Sequence, residues 1–239
     1  MNLVCYSANG NTFLMVDNTE RSIKDEEKPS FVVANVGDLD GVIFVEEKDG
    51  KFFMDYYNRD GSAAAFCGNG ARAFAKYLMD CGYEKADAFT FISRVGEVKV
   101  VVEDGIWVRM PNVSELKEVR ADDLSGYFVV VGVPHFVLEV ENVDEVNVEE
   151  LGRLLRHKLG ANVNFYQRGV DCVKVRTYER GVERETKACG TGVTAVFAVL
   201  ERLEGVKELK VIVPGGEMFL KRVNEEIFLK GDVRRCSEE

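Results

Sequence analysis

Cys67-Gly68-Asn69-Gly70-Ala71-Arg72-Ala73-Phe74-Ala75-Lys76-Tyr77-Leu78 and Cys189-Gly190-Thr191-Gly192-Val193-Thr194-Ala195-Val196-Phe197-Ala198-Val199-Leu200 are two versions of one word. In each, a cysteine stands on a glycine-rich turn that opens a run with helical character. The two words lie about half of the 239-residue chain apart. A doubling at that spacing predicts two related halves, each presenting one thiol at a helix start. If the halves face each other, so do the thiols, across a shared cleft. That is a setting for moving a proton from one side of a carbon to the other.

Working outward, helices are expected over Gly70–Asp80, ended by Cys81-Gly82, and over Gly192–Leu203, which is nearly all apolar and so buried on most sides. Asn147–Leu159 reads as an amphipathic helix with Val148, Leu151, Leu154 and Leu155 inward. Asp144 or Asn147 would cap it and Gly160 would stop it. Strand signals dominate elsewhere. Glu97–Val102 and Ile106–Met110 flank an Asp104-Gly105 turn, and Leu209–Val213 and Glu217–Val223 flank Pro214-Gly215-Gly216. Phe52–Tyr57, closed by the turn Asn58-Arg59-Asp60-Gly61, and Glu226–Lys230 read as further strands. Tyr127–Val133 is an apolar run that suits a buried strand.

The expected fold is therefore α/β (α+β): two pseudo-symmetric halves, each a curved, mostly antiparallel sheet wrapped around a central helix, with the active site in the cleft between them. The boundary is placed at Pro111-Asn112-Val113. Residues 1–112 carry Cys67, residues 113–224 carry Cys189, and the last strand, about 225–239, is expected to pack with the first half.

Composition narrows the function classes. The net charge of −10 and scattered basic residues such as Lys207, Lys210, Lys221 and Arg222 disfavour a nucleic-acid partner. No apolar run is long enough for a membrane span, and the first residues show no basic leader ahead of an apolar block. Six cysteines without a C-x-x-C, and only His135 and His157, argue against a structural zinc site. The expectation is a cytoplasmic protein with reduced thiols. Cys5, Cys81, Cys172 and Cys236 are read as small buried or half-exposed residues.

A cysteine at a helix N-terminus sits beside free backbone N–H groups and the positive end of the helix dipole. That lowers a thiol pKa from about 8.5, and the same N–H groups can hold a carboxylate. Pairing two such turns gives a two-base device. One sulfur, as thiolate, takes the α-proton of a bound amino acid. The other, as thiol, gives a proton to the opposite face. No imine cofactor is required if helix ends stabilise the developing carbanion. The chain shows no distinctive pyridoxal-phosphate lysine and no phosphate loop.

At these residues the chain closely resembles the diaminopimelate epimerase family, cofactor-independent amino-acid epimerases. The resemblance runs through Asn9-Gly10-Asn11-Thr12-Phe13, Tyr57-Asn58-Arg59-Asp60-Gly61-Ser62 with Cys67-Gly68-Asn69-Gly70-Ala71-Arg72, Pro134-His135, Asn162-Val163-Asn164-Phe165, and Tyr178-Glu179-Arg180-Gly181 with Glu185-Thr186 and Ala188-Cys189-Gly190-Thr191-Gly192. The resemblance implies Cys67 and Cys189 as the acid/base pair. Gly68, Asn69, Gly190 and Thr191 would hold the reacting carboxylate. Asn11, Asn58, Asn162 and Arg180 would hold the ammonium and the distal amino-acid end. Glu179 and His135 would tune the cysteines and orient the reacting centre, Glu179 also pairing with an ammonium. It implies interconversion of LL- and meso-diaminopimelate in lysine biosynthesis, no cofactor, no metal, a small amino-acid substrate as partner, and a possible homodimer. The family commonly has Asn two positions before His135, where this chain has Val133. Other readings are a different amino-acid racemase on the same scaffold, a Cys–His hydrolase using one thiol and His135, and a non-catalytic amino-acid-binding module.

Overall fold

A computed structural model describes residues 3–236 of the chain. Residues 1–2 and 237–239, which the first expected domain includes, lie outside them. The chain divides into two compact units. One runs to Val108 and resumes at Lys230; the other is Arg109–Leu229.

In the first unit β1 (Leu3–Ala8) and β2 (Asn11–Asp17) form an antiparallel hairpin. Helix α1 (Lys28–Asn35) leads to β3 (Gly41–Lys48), which lies parallel to β2 and antiparallel to β4 (Lys51–Asn58). Helix α2 (Gly68–Asp80) leads to β5 (Ala88–Ser93), parallel to β4. Then β6 (Gly96–Val102) and β7 (Ile106–Arg109) follow as antiparallel neighbours.

The second unit repeats this order. The hairpin is β8 (Val113–Ala121), β9 (Leu124–Val131) and β10 (Val133–Glu139). Helix α3 (Val148–Leu159) leads to β11 (Asn162–Arg168), parallel to β10 and antiparallel to β12 (Val173–Glu179). After the short β13 (Arg184–Thr186), helix α4 (Gly190–Glu204) leads to β14 (Glu208–Val213), parallel to β12. β15 (Gly216–Val223) and β16 (Glu226–Gly231) complete it. Strand β17 (Val233–Arg235) returns to pair with β1, as β8 pairs with β9.

The fold is α/β, with α2 and α4 as the inner helices. Gly68 to Ala75 of α2 and Gly192 to Leu200 of α4 are buried throughout. α2 packs against β1, β2 and β17, α4 against β9, β10 and β11. Each unit has its own apolar core: Leu14, Val32, Val42, Phe44 and Tyr57 in the first, Phe136, Val148, Leu155, Phe165 and Tyr178 in the second.

Four expectations need correction. Tyr127–Val133 is not one strand, because Gly132 at φ +69° turns the chain between β9 and β10. In α3, Leu154 is 57% exposed. The buried face runs instead through Val148, Gly152 and Leu155, where a Cβ at 152 would stand 2.5 Å from Tyr178 Cβ. Asn147 does cap that helix, accepting from Glu150 N, and Gly160 ends it at φ +66°. Finally, Cys5 and Cys236 are not separate thiols but a disulfide. It forms because Cys236 N donates to Cys5 O beside the β1–β17 pairing, which brings the two residues together. Cys81 is exposed rather than buried or half-buried.

Helix α1 was not read from the sequence. Its anchor is a wholly buried lysine: Lys28 Nζ meets Asp25, Glu46 and Asp55 at 2.6, 2.7 and 2.7 Å. Burial pushes the ammonium toward neutrality, and the three carboxylates outweigh it and hold its pKa above the ordinary lysine range. No helix among the described residues is long and apolar enough to cross a membrane.

Candidate active site

The first cysteine is the N-cap of α2. Its backbone is extended (φ −142°, ψ 116°), and Sγ accepts from Gly70 N at 3.4 Å. Sulfur thus takes the place that a capping oxygen usually fills, against the N–H groups of the first turn. Asn69 is buried beside it and donates through Nδ2 to Asn11 Oδ1 at 2.9 Å. Asn58 ends β4, half-buried, with Nδ2 on Ser62 Oγ at 3.0 Å. Around Cys67 the structure therefore joins Asn11 to Asn69, while Asn58 stands across the sheet, opposite Gly41, which pairs with Phe13 of β2.

The second cysteine caps α4 with the same extended backbone (φ −121°, ψ 105°). Its Sγ lies 3.5 Å from Thr191 Oγ1. Gly192 admits no side chain: a Cβ there would stand 3.2 Å from Cys189 Sγ and 2.2 Å from Asn164 Oδ1.

That asparagine is the hub of the second cluster. Its Oδ1 accepts from Thr177 Oγ1 at 3.0 Å, and its Nδ2 lies 3.1 Å from His135 Nδ1. Nδ2 also donates to Phe136 O at 3.3 Å, and a carbonyl can only accept. The amide orientation is thereby set, His135 Nδ1 is the acceptor, and the ring proton sits on Nε2. His135 is wholly buried and Nε2 has no partner among the described residues. Burial drives its pKa down to about 3, the Arg180 cation adding to the effect and the Asn164 hydrogen bond opposing it. His135 is a neutral donor at any ordinary pH.

Asn162 pairs with His135 across β10 and β11 and accepts from Arg180 N at 2.7 Å. The exposed Arg180 side chain donates Nη1 to Gly160 O at 3.1 Å. Glu179, half-buried, ends β12 next to it. The structure thus gathers His135, Asn162, Glu179 and Arg180 at neighbouring strand ends.

The repeat shows what is special here. Phe13 and His135 occupy matching places, opposite Gly41 and Asn162 at the starts of the parallel pairs. Ile43 and Asn164 then match, as do their cross-strand neighbours Tyr56 and Thr177. In the first unit these three positions are buried Phe13, Ile43 and Tyr56, with the Phe13 and Tyr56 rings edge-to-face at 5.8 Å. In the second they are a hydrogen-bonded chain. Asn164 and Thr177 carry no role in the sequence reading, although setting the two halves side by side exposes the change from apolar to polar.

The sequence profile described as diaminopimelate epimerase matches residues 3–112 and 127–236. A diaminopimelate epimerase of Thermotoga maritima is 69% identical over 236 residues, covering 99% of this chain and 100% of that one. One of Aquifex aeolicus is 36% identical over 263 residues, with 96% and 93% covered. The fold is similar to a Bacillus anthracis phenazine biosynthesis protein of the PhzF family, with TM-score 0.79, 16% identity, and 98% and 96% of the chains covered. Two cysteine-capped inner helices, a profile that spans both of them, and relatives matched from end to end place this chain in the diaminopimelate epimerase family.

Proposed function

We propose that the chain interconverts LL- and meso-diaminopimelate by two-thiol proton transfer, in the cytoplasm, with no cofactor. The observation that carries this reading is the pair of cysteines capping matching helices, one in each unit of a family member. One sulfur, as thiolate, takes the α-proton. The other, as thiol, delivers its own to the opposite face, and the two exchange protonation states. The helix-start N–H groups of Gly68, Asn69, Gly190 and Thr191 receive the α-carboxylate, where helix dipoles stabilise the charge that builds up on it. Losing one such donor in other enzymes costs about 10²–10³ in rate. Arg180 grips the distal carboxylate. Asn11, Asn58, Asn162 and Glu179 hold the amino-acid ends, and neutral His135 orients the centre without adding charge.

The test is incubation with LL-diaminopimelate in D₂O. Deuterium is expected at one α-carbon, and either Cys67→Ala or Cys189→Ala should abolish inversion. Wild-type protein that leaves that carbon protonated, or inversion surviving either replacement, would refute the scheme. A different amino-acid racemase is favoured by one feature, the 36% exposed Val133 where the family commonly has Asn. Inversion of proline, histidine or glutamate but not diaminopimelate would select that alternative.

A further inference from the structure

Glu185-Thr186 belongs to the last stretch on which the family resemblance rests, yet the reaction as read above gives it no task. The pair lies in β13, the return strand of a hairpin with β12. Thr177 pairs with Thr186, Tyr178 with Glu185 and Glu179 with Arg184, so the turn begins with Arg180 next to Glu179. A strand of only 3 residues supplies few ladder bonds. The turn also holds Gly181 and Glu183 at positive φ, +92° and +58°. Side chains have to fix such a hairpin.

Arg176 does so at its base. Nε and Nη2 donate to Glu185 Oε1 and Oε2, each at 2.7 Å, in the paired geometry that suits a guanidinium and a carboxylate. Nη1 donates to Val143 O and to Val146 O, both at 3.0 Å. Those carbonyls belong to the short 3-10 turn Val143–Glu145 and the residue after it, ahead of α3. Every guanidinium nitrogen is engaged, and one side chain ties β12, β13 and the approach to α3 together. Glu185 N donates to Glu149 Oε1 of α3 at 2.8 Å. At the tip, Glu183 Oε1 accepts from Gly181 N at 3.0 Å and from Arg156 Nε of α3 at 2.9 Å. The hairpin is therefore referred to α3 at both ends. In the first unit the place of Arg176 is taken by Asp55, one residue before Tyr56 as Arg176 is before Thr177. Asp55 grips Lys28 and Arg94 instead. The segment entering Cys67 meets β4 through the Tyr57–Ala63 bridge and through Ala64 N on Tyr56 O at 3.0 Å. The guanidinium fork belongs to the unit that carries Glu179 and Arg180.

We propose that Arg176 is a positioning residue for the reaction: by locking the hairpin onto Glu185 and the two carbonyls, it sets where Glu179 and Arg180 meet the distal end of the substrate. Arg180 also leans on Gly160 O, at the stop of α3, so hairpin and helix must keep one spacing for its guanidinium to be aimed. Cys189 is held apart from this lock. It caps α4, with buried Gly190 and Gly192 behind it, and Gly215 N fixes Lys187 O at 2.7 Å between hairpin and cap. A loosened hairpin therefore loses the distal amino-acid end before it loses proton transfer. Lysine at 176 keeps the charge but brings one nitrogen where a fork is needed.

The inference rests on the reading of function above, through the roles of Glu179 and Arg180. Steady-state epimerisation of LL-diaminopimelate and hydrogen exchange followed by mass spectrometry test it together. Arg176→Met should raise KM about tenfold or more and leave kcat within about threefold, the pattern of lost binding rather than lost chemistry. Arg176→Lys should resemble Arg176→Met. Glu185→Gln, which keeps one acceptor oxygen, should fall between that variant and the wild type. In substrate-free Arg176→Met the amides of residues 177–186 should exchange about tenfold faster, and those of α4 at the wild-type rate. A lower kcat at unchanged KM would overturn the proposal, because a smaller folded fraction gives that result. Full rescue by Arg176→Lys, or unaltered exchange in the hairpin, would overturn it as well. If Arg176→Met does not fold because Glu185 is left as a stranded charge, Arg176→Met/Glu185→Leu removes that charge and should show the same rise in KM. Wild-type protein that does not turn over LL-diaminopimelate would sink the reading of function, and the exchange comparison would still decide whether Arg176 locks the hairpin.

Discussion

His135, Asn164 and Thr177 show how a single side-chain position is turned from packing to chemistry. Where the first unit has Phe13, Ile43 and Tyr56, the second holds a neutral imidazole in one tautomer. Asn164→Ile imports the residue of the matching position. It strips His135 Nδ1 of its donor, and kcat is expected to fall about 100-fold, the low end of what a positioned proton-handling group contributes. An unchanged kcat in steady-state epimerisation would show that the tautomer does not matter. The same burial has a signature in stability. Between about pH 3 and 6.5 the unfolded chain protonates this histidine and the folded one does not. Its contribution is therefore complete above pH 6.5 and is lost as pH falls. From pH 7 to 5 the loss should be about 2 kcal/mol in urea unfolding, and His135→Asn should flatten that slope.

The two cysteine turns differ at the level of the helix start. In α4 a Cβ on Gly192 collides with the Asn164 amide at 2.2 Å and crowds Cys189 Sγ. In α2 the nearest atoms to a Cβ on Gly70 are Ile43 Cδ1 at 3.2 Å and Cys67 Cβ at 3.4 Å. Gly192→Ala should cost about 1–3 kcal/mol and most of the activity, and Gly70→Ala less of both, as read by thermal melts and initial rates. Equal losses would mean that Asn164 yields freely. Elements with strong local signals were legible in the sequence. α2, α3 and α4 carry periodic apolar faces with caps or stops, and the Asp104-Gly105 turn has the positive φ values that its hairpin needs. Helix α1 was not legible, because its eight residues begin on a buried lysine whose partners come from β3, β4 and the preceding loop. Leu154 misled because spacing alone cannot tell which flank of a stripe a neighbour such as Tyr178 covers.

For the molecule as a whole, the cysteine words disclosed the repeat, and the strand order bears it out down to the matching parallel pairs. Sites that exploit the asymmetry of the two units were less visible: Asn164 and Arg176 are ordinary letters until the units are compared. Long-range pairing was not legible at all, since Cys5 and Cys236, 231 positions apart, meet only through the register of β1 and β17. Cross-linking so long a loop is worth about 2–5 kcal/mol. The Cys5→Ser/Cys236→Ser variant should unfold at lower denaturant than the oxidised wild type. Its activity at 25 °C should persist, because neither residue belongs to the proposed site. A midpoint that does not move would mean that the β17 pairing holds without the bond.

The return of the chain at Lys230 sets an order on biosynthesis. Asn9, which receives Arg72, also donates its N–H to Asp232 O at 3.1 Å, and Gly231 lies against both side chains. The cradle of Arg72 is thus finished by residues translated long after it, whereas Arg109–Leu229 is one unbroken stretch. The unit whose strands precede Arg109 must wait for residues that follow Leu229 before it is complete.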